Sequence, residues 1–145
     1  MEVMEFHKIL VPVAGTEADE RAIELADRLL AKKNKGKIYI VHVISIERTL
    51  PIDAEIESEI GKAEEILKHM ESIAEEQDYN IETDLLQARE AGPAIVNEAV
   101  EREVDLILMG IIYKTRFGEF SLGDAAPYIL KNAPCHVILY HQNVP

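Results

Sequence analysis

An apolar run that stops on a glycine constrains this chain more than any other feature. Residues 104–109, VDLILM, show no polar and apolar alternation beyond their start, and they end at Gly110. Unbroken apolar runs of strand length mark strands covered on both faces. A loop with two further glycines, Gly118 and Gly123, follows; a short helical pattern begins near Asp124, and residues 137–140, VILY, form another apolar run. Strand, loop, helix and strand in this order put glycines where a parallel strand hands over to a helix. Open α/β sheets hold ligands there, because backbone N–H groups at the helix N-terminus are free to bind them.

The earlier part of the chain supplies the rest of a sheet. Residues 8–13, KILVPV, suit a central strand, and Thr16 is placed to cap a helix in which Ala22, Leu25, Ala26, Leu29 and Leu30 recur at helical spacing up to Gly36. Residues 37–43, KIYIVHV, read as a second strand whose His42 is expected to be a satisfied structural residue. Pro51 breaks the pattern; Ile56, Ile60, Ala63, Leu67, Met70 and Ala74 then step by four and three along a long amphipathic helix with a solvated Glu and Lys face. Residues 80–87, NIETDLLQ, suit an edge-side strand, and Ala91-Gly92-Pro93 opens a helix with Ile95, Val96, Ala99 and Val100 expected on its buried side. Strands alternating with helices at this spacing require a parallel sheet with right-handed crossovers and helices on both faces. The expectation is a single α/β domain over residues 1–145.

Composition removes several function classes. A net charge of −12 opposes binding to nucleic acid or to anionic membranes, both of which need a basic surface. The acid is uneven: from Asp105 onward Asp105, Glu119 and Asp124 are matched by Lys114, Arg116 and Lys131, so the glycine-bearing region repels anions least. No apolar run approaches the roughly 18 to 20 residues that span a bilayer, and the first residues lack a signal-like apolar core, so a cytoplasmic location without membrane insertion is expected. A single cysteine, Cys135, supplies neither a disulfide nor a metal pair, and the five histidines are scattered, so no metal site is expected. P-loop, nucleophile-elbow and HExxH motifs are missing from the sequence.

KILVPVAGTEADERAIELA at the start, VDLILMG in the second half, and LGDAAPYILKNAPCHVIL near the end together resemble the universal stress protein family. The resemblance covers nearly the whole chain. It implies an adenine nucleotide alpha hydrolase-like fold, a five-stranded parallel sheet of order 3-2-1-4-5, and commonly a homodimer through the last strand, here His136, Val137, Ile138, Leu139 and Tyr140. The nucleotide-binding branch of the family holds ATP with a motif of glycine, two residues, glycine, nine residues, then glycine followed by serine or threonine. Met109-Gly110 and Gly123 match it. Tyr113 replaces the second glycine, Asp124 replaces the hydroxyl, and Ala14 stands where that branch carries an aspartate. Pro12 and Val41 match positions that contact the base or ribose. Lys114 and Arg116 lie beside the motif, either screening Asp124 or forming a solvated loop.

Of the three departures, Asp124 weighs most. A carboxylate within a few ångströms of phosphate, in a poorly screened pocket, costs on the order of several kcal/mol unless Mg²⁺ lies between them. An aspartate at a helix N-cap also occupies the N–H groups that phosphate would use. Three readings follow: a dimeric stress-response or regulatory module with a degenerate, weak or absent nucleotide site and no catalysis; an ATP or AMP binder, at most a slow ATPase, that uses Mg²⁺ to offset Asp124; or an interaction domain regulating a membrane transporter, since the region 113–135 also resembles cytoplasmic domains of such transporters.

Overall fold

The computed structural model describes residues 5–114, 119–120 and 125–144. The elements run β1 (Lys8–Pro12), α1 (Ala18–Leu29), β2 (Lys37–Ser45), α2 (Glu57–Gln77), β3 (Ile81–Ala88), α3 (Ala91–Arg102), β4 (Leu106–Lys114), β5 (Glu119–Phe120), α4 (Ala125–Asn132) and β6 (His136–Val144). Five parallel strands lie in the order β3-β2-β1-β4-β6. This is the expected order 3-2-1-4-5, with β6 as its fifth strand. The two-residue β5 was not foreseen. It pairs antiparallel with the end of β4, Tyr113 opposite Phe120, where the shorter β1 no longer covers that edge.

The apolar runs lack alternation because both faces of the central strands are covered. Ile9, Val11, Ile38, Ile40, Leu106 and Leu108 point to α1 and α2, where they meet Ala22, Ile23, Leu67 and Met70. Leu10, Val41, Ile107 and Met109 point the other way, onto Ile95, Ala99, Ala126 and Ile129 of α3 and α4. Successive strand residues thus feed two helix layers, which is the side-chain period of two read against two apolar surfaces. Each fully buried aliphatic side chain contributes about 1.5–3 kcal/mol, so the sheet is the main source of stability. No helix among the described residues is long and apolar enough to cross a membrane.

Two local expectations are corrected. Thr16 does not cap α1: the residue at the N-cap is Glu17, without a side-chain bond, and the loop amides are taken by Asp19 instead. A buried carboxylate can serve several N–H donors at once and makes the stronger, charge-assisted bonds, so it displaces a hydroxyl that could serve one. In α3, Ile95 and Ala99 are buried as expected, but Val100 is 55% exposed. The buried arc has turned toward Glu98, which tolerates burial because the Arg102 guanidinium donates to it at 2.8 Å.

Candidate functional site

The carboxyl ends of β1, β2 and β4 meet at one edge of the sheet. Pro12 sits in register with Val41, and the Val13 amide donates to the Val41 carbonyl at 2.8 Å, so the first two strands are locked together just before the chain leaves for α1. Beside them lies a cleft of about 180 Å³ bordered by Pro12, Ala14, Val41, His42 and, from α3, Ala91 and Ile95. A second cleft of about 300 Å³ adjoins it, sharing Ser45 and Ala91 and adding Arg89, Gly92 and Tyr128. Apart from His42 and Ser45 the lining is apolar on the strand side, and it opens onto the first turn of α3. That is the topological position at which open α/β sheets take small ligands.

His42 is not a free ligand in this cleft. Its Nδ1–H donates to the Val13 carbonyl at 2.8 Å, as expected of a structural histidine. The neighbouring loop is organised by Asp19, which is 2% exposed. Its carboxylate accepts from the amides of Ala14 (3.3 Å), Gly15 (2.7 Å) and Thr16 (3.0 Å). Gly15 adopts φ +82°, the left-handed conformation that glycine takes without steric cost, and this turns the three N–H groups toward one point. Burial pushes the Asp19 carboxyl above its usual range, against the opposing pull of the three amides and His42. Such a concave set of amides is an anion site. Here the chain's own carboxylate fills it.

The remaining sequence-derived positions divide sharply. Met109 is fully buried beneath α3 and α4, packed with Leu10 and Val41 rather than lining an open surface. Gly110 is a site of close approach, but the approach is to α1: a Cβ there would stand 2.4 Å from the Ala18 carbonyl oxygen. Tyr113 and Lys114 end β4, paired with Phe120 and Glu119 on one side and with Asn143 and Val144 on the other. Arg116, Gly123 and Asp124 lie outside the described residues. The phosphate end of the motif is therefore represented by Gly110 and by Ala125, the first residue of α4.

Sequence reading missed the groups that hold the mouth of the cleft. The Arg89 guanidinium donates to the carbonyls of Ile46, Glu47 and Leu50, the last at 2.8 Å, and the Gln87 amide donates to Ile52 (3.0 Å) and Ala54 (3.1 Å). Both side chains reach from the end of β3 across to the β2–α2 loop and satisfy carbonyls that have no strand or helix partner. Asp19 left a faint signal, an acid at the second helical position after Ala-Gly-Thr. Among the described residues no three His, Cys, Asp or Glu side chains gather as a metal site. Burial raises the Cys135 thiol, with Asp105 adding to the effect, so it lacks the thiolate character of a reactive cysteine.

Residues 5–141 match the model of the universal stress protein family. A universal stress protein of Methanocaldococcus jannaschii is 31% identical over 140 residues, covering 92% of this chain and 81% of that protein. Among solved structures, a universal stress protein from Archaeoglobus fulgidus aligns with TM-score 0.71 and 26% identity over 94% of both chains. A structure of the universal stress protein from the same organism in complex with dAMP aligns with TM-score 0.70 and 25% identity, over 94% of this chain and 98% of that one. Family model, sequence relative and fold agree, and the chain belongs to the universal stress protein family.

Proposed function

We propose that this protein is a dimeric, non-catalytic regulatory module whose edge cleft is a weak adenine-nucleotide site, better suited to a monophosphate than to ATP. The observation that carries the reading is the cleft between Pro12, Ala14 and Val41, together with the Asp19 carboxylate already seated on the amides beside it. The apolar slot accepts a planar base. A phosphate chain meets a loop whose three N–H groups are spent, and in sequence Asp124 follows Gly123 where the nucleotide-binding branch carries a hydroxyl. Each added phosphate charge increases repulsion from a fixed carboxylate, so ATP is penalised more than AMP unless Mg²⁺ intervenes. The complex of the Archaeoglobus fulgidus relative with dAMP supports a monophosphate as the ligand class.

Calorimetric titration of wild type and Asp124→Ser with AMP and ATP, each with and without Mg²⁺, tests this. Wild type should bind AMP with Kd on the order of 0.1–1 mM and metal-free ATP more weakly, and the serine variant should tighten ATP about tenfold. Metal-free ATP binding in the low micromolar range, unchanged by the substitution, would contradict it.

The dimer rests on β6. It pairs with β4 along one side, and among the described residues no strand lies against the other, while Val137, Ile138, Leu139 and Tyr140 remain half-buried with the monomer alone. A half-apolar open edge is a template for a second strand. Sedimentation equilibrium should return twice the 16.3 kDa chain mass; a single 16.3 kDa species up to high protein concentration excludes the β6 dimer.

A further inference from the structure

In a chain of net charge −12, arginines find carboxylates readily. Arg21 and Arg28 share Glu24, Arg48 reaches Glu90 at 3.8 Å, and Arg102 gathers Glu82, Asp84 and Glu98. Arg89 is the exception. Among the described residues it enters no ion pair, and its hydrogen bonds go to neutral carbonyls, those of Ile46, Glu47 and Leu50. All of them leave from one nitrogen, Nη1. The Nε and Nη2 edge of the same planar group keeps its N–H donors without an acceptor among the described residues. That edge presents two parallel N–H groups, the geometry that grips a phosphate or carboxylate through two oxygens at once.

Arg89 borders the cleft of about 300 Å³ that shares Ser45 and Ala91 with the slot beside Pro12 and Val41. Among the described residues no other arginine or lysine lines either cleft, and the one carboxylate on the lining, Glu90, is well exposed and turned to Arg48. The first turn of α3, whose N-cap makes no side-chain bond, borders the same cleft and adds a field of the same sign. Anchoring through Nη1 also restricts the side chain before any ligand arrives, so less freedom is lost when the other edge is engaged.

We infer that Arg89 recognises the phosphate of the ligand: its Nε and Nη2 edge receives a phosphate monoester whose base lies in the slot beside Pro12 and Val41. The inference rests on the adenine-nucleotide reading and supplies the cation which that reading lacks. Nη1 stays on the loop carbonyls, so one side chain both holds the β2–α2 loop and meets the ligand. A single guanidinium fits a single phosphate, and further phosphates find no second cation on the lining.

Titration of wild type, Arg89→Gln and Glu90→Gln with adenosine, AMP and inorganic phosphate, read by calorimetry and by the Arg89 Nε–H resonance, tests this. Wild type should bind AMP about tenfold more tightly than adenosine, and AMP should move the Nε resonance while adenosine leaves it in place. Inorganic phosphate, lacking the base, should move the same resonance about tenfold more weakly than AMP. Arg89→Gln retains an amide donor for the loop carbonyls; it should bind adenosine as wild type does and lose the advantage of AMP. Glu90→Gln leaves Arg89 intact and should tighten AMP about twofold to threefold with adenosine unchanged. An Nε resonance unmoved by both AMP and phosphate overturns the assignment on wild type alone, whether or not Arg89→Gln folds. Parallel loss of adenosine and AMP in Arg89→Gln, with their ratio unchanged, also overturns it and leaves Arg89 a loop anchor only. Failure of adenosine to bind, with Nε still moved by phosphate, overturns the base slot instead and retains Arg89 as the anion site.

Discussion

Replacing Gly110 with alanine is expected to cost about 3 kcal/mol or more of folding stability, enough to leave a typical domain marginal at best. The added Cβ would stand 2.4 Å from the Ala18 carbonyl oxygen, 2.8 Å from its carbon and 2.9 Å from the Ala18 Cβ. Neither side can yield cheaply. Gly110 lies within β4, which is hydrogen-bonded to β6 along its length and paired with β1 near its start. The first turn of α1 is tied to its loop through Asp19, whose amide bonds the Thr16 carbonyl while its carboxylate holds the three loop amides. Gly61 is the control: nothing lies within 4 Å of a Cβ built there, and it sits inside α2, so Gly61→Ala should stabilise by up to about 1 kcal/mol. Urea unfolding measures both. A Gly110→Ala protein within about 1 kcal/mol of wild type would refute this account of the strand–helix contact.

Arg102→Ala is expected to be nearly as damaging, for an electrostatic reason. One guanidinium serves three carboxylates: Nε donates to Glu98 at 2.8 Å, Nη1 to Glu82 at 2.6 Å and Nη2 to Asp84 at 3.3 Å, while its plane lies 4.7 Å from the centre of the Tyr39 ring. Lys37 reaches Glu82 alone, at 3.2 Å. Removing Arg102 leaves the buried Glu98 charged and unpaired and sets three like charges near one another. The penalty for an unpaired buried charge is about 3–5 kcal/mol, and partial exposure of this pair reduces it to roughly 2–3 kcal/mol.

The same network fixes the direction of the pH dependence. Hydrogen bonds from Arg102 and Lys37 hold the Glu82 carboxyl below its ordinary value in the folded protein. A depressed carboxylate contributes stability above its unfolded value and loses it as pH falls through the folded value. The gap between wild type and Arg102→Ala should therefore be widest near neutrality and narrow when unfolding is measured at about pH 3.5, below the ordinary glutamate value of about 4.3. A gap of the same size at both pH values would remove the charge network as its cause.

The sheet was legible because it rests on local pattern. Apolar runs at residues 8–13, 37–43, 104–109 and 137–140 identify four strands whatever their partners, and Leu67, Met70 and Ala74 mark the inner face of α2 by spacing alone. Helix ends and side-chain clamps obey a different rule. Thr16 and Asp19 are both competent to hold loop amides, and the winner depends on the left-handed turn at Gly15, which no period records. Val100 was misplaced because hydrophobicity predicts the buried arc only when no buried ion pair competes, and Glu98 with Arg102 does. Arg89 and Gln87 act on carbonyls more than 30 residues away in sequence, a separation that local reading cannot bridge. Gly110 was legible as a glycine of the resembled motif, but its close approach to the backbone of Ala18 depends on how α1 packs on β4, which no local pattern records.

The edge of the sheet beside Pro12, Ala14 and Val41 is proposed to seat an adenine nucleotide weakly. Amide-resolved titration of the uniformly labelled wild-type protein with AMP tests it most directly. Saturable shifts at Val13, Ala14, Val41, His42 and Gly110, with Kd on the order of 0.1–1 mM, are the predicted result. Saturable shifts confined to another face of the protein, or none at all up to about 10 mM AMP, would contradict it.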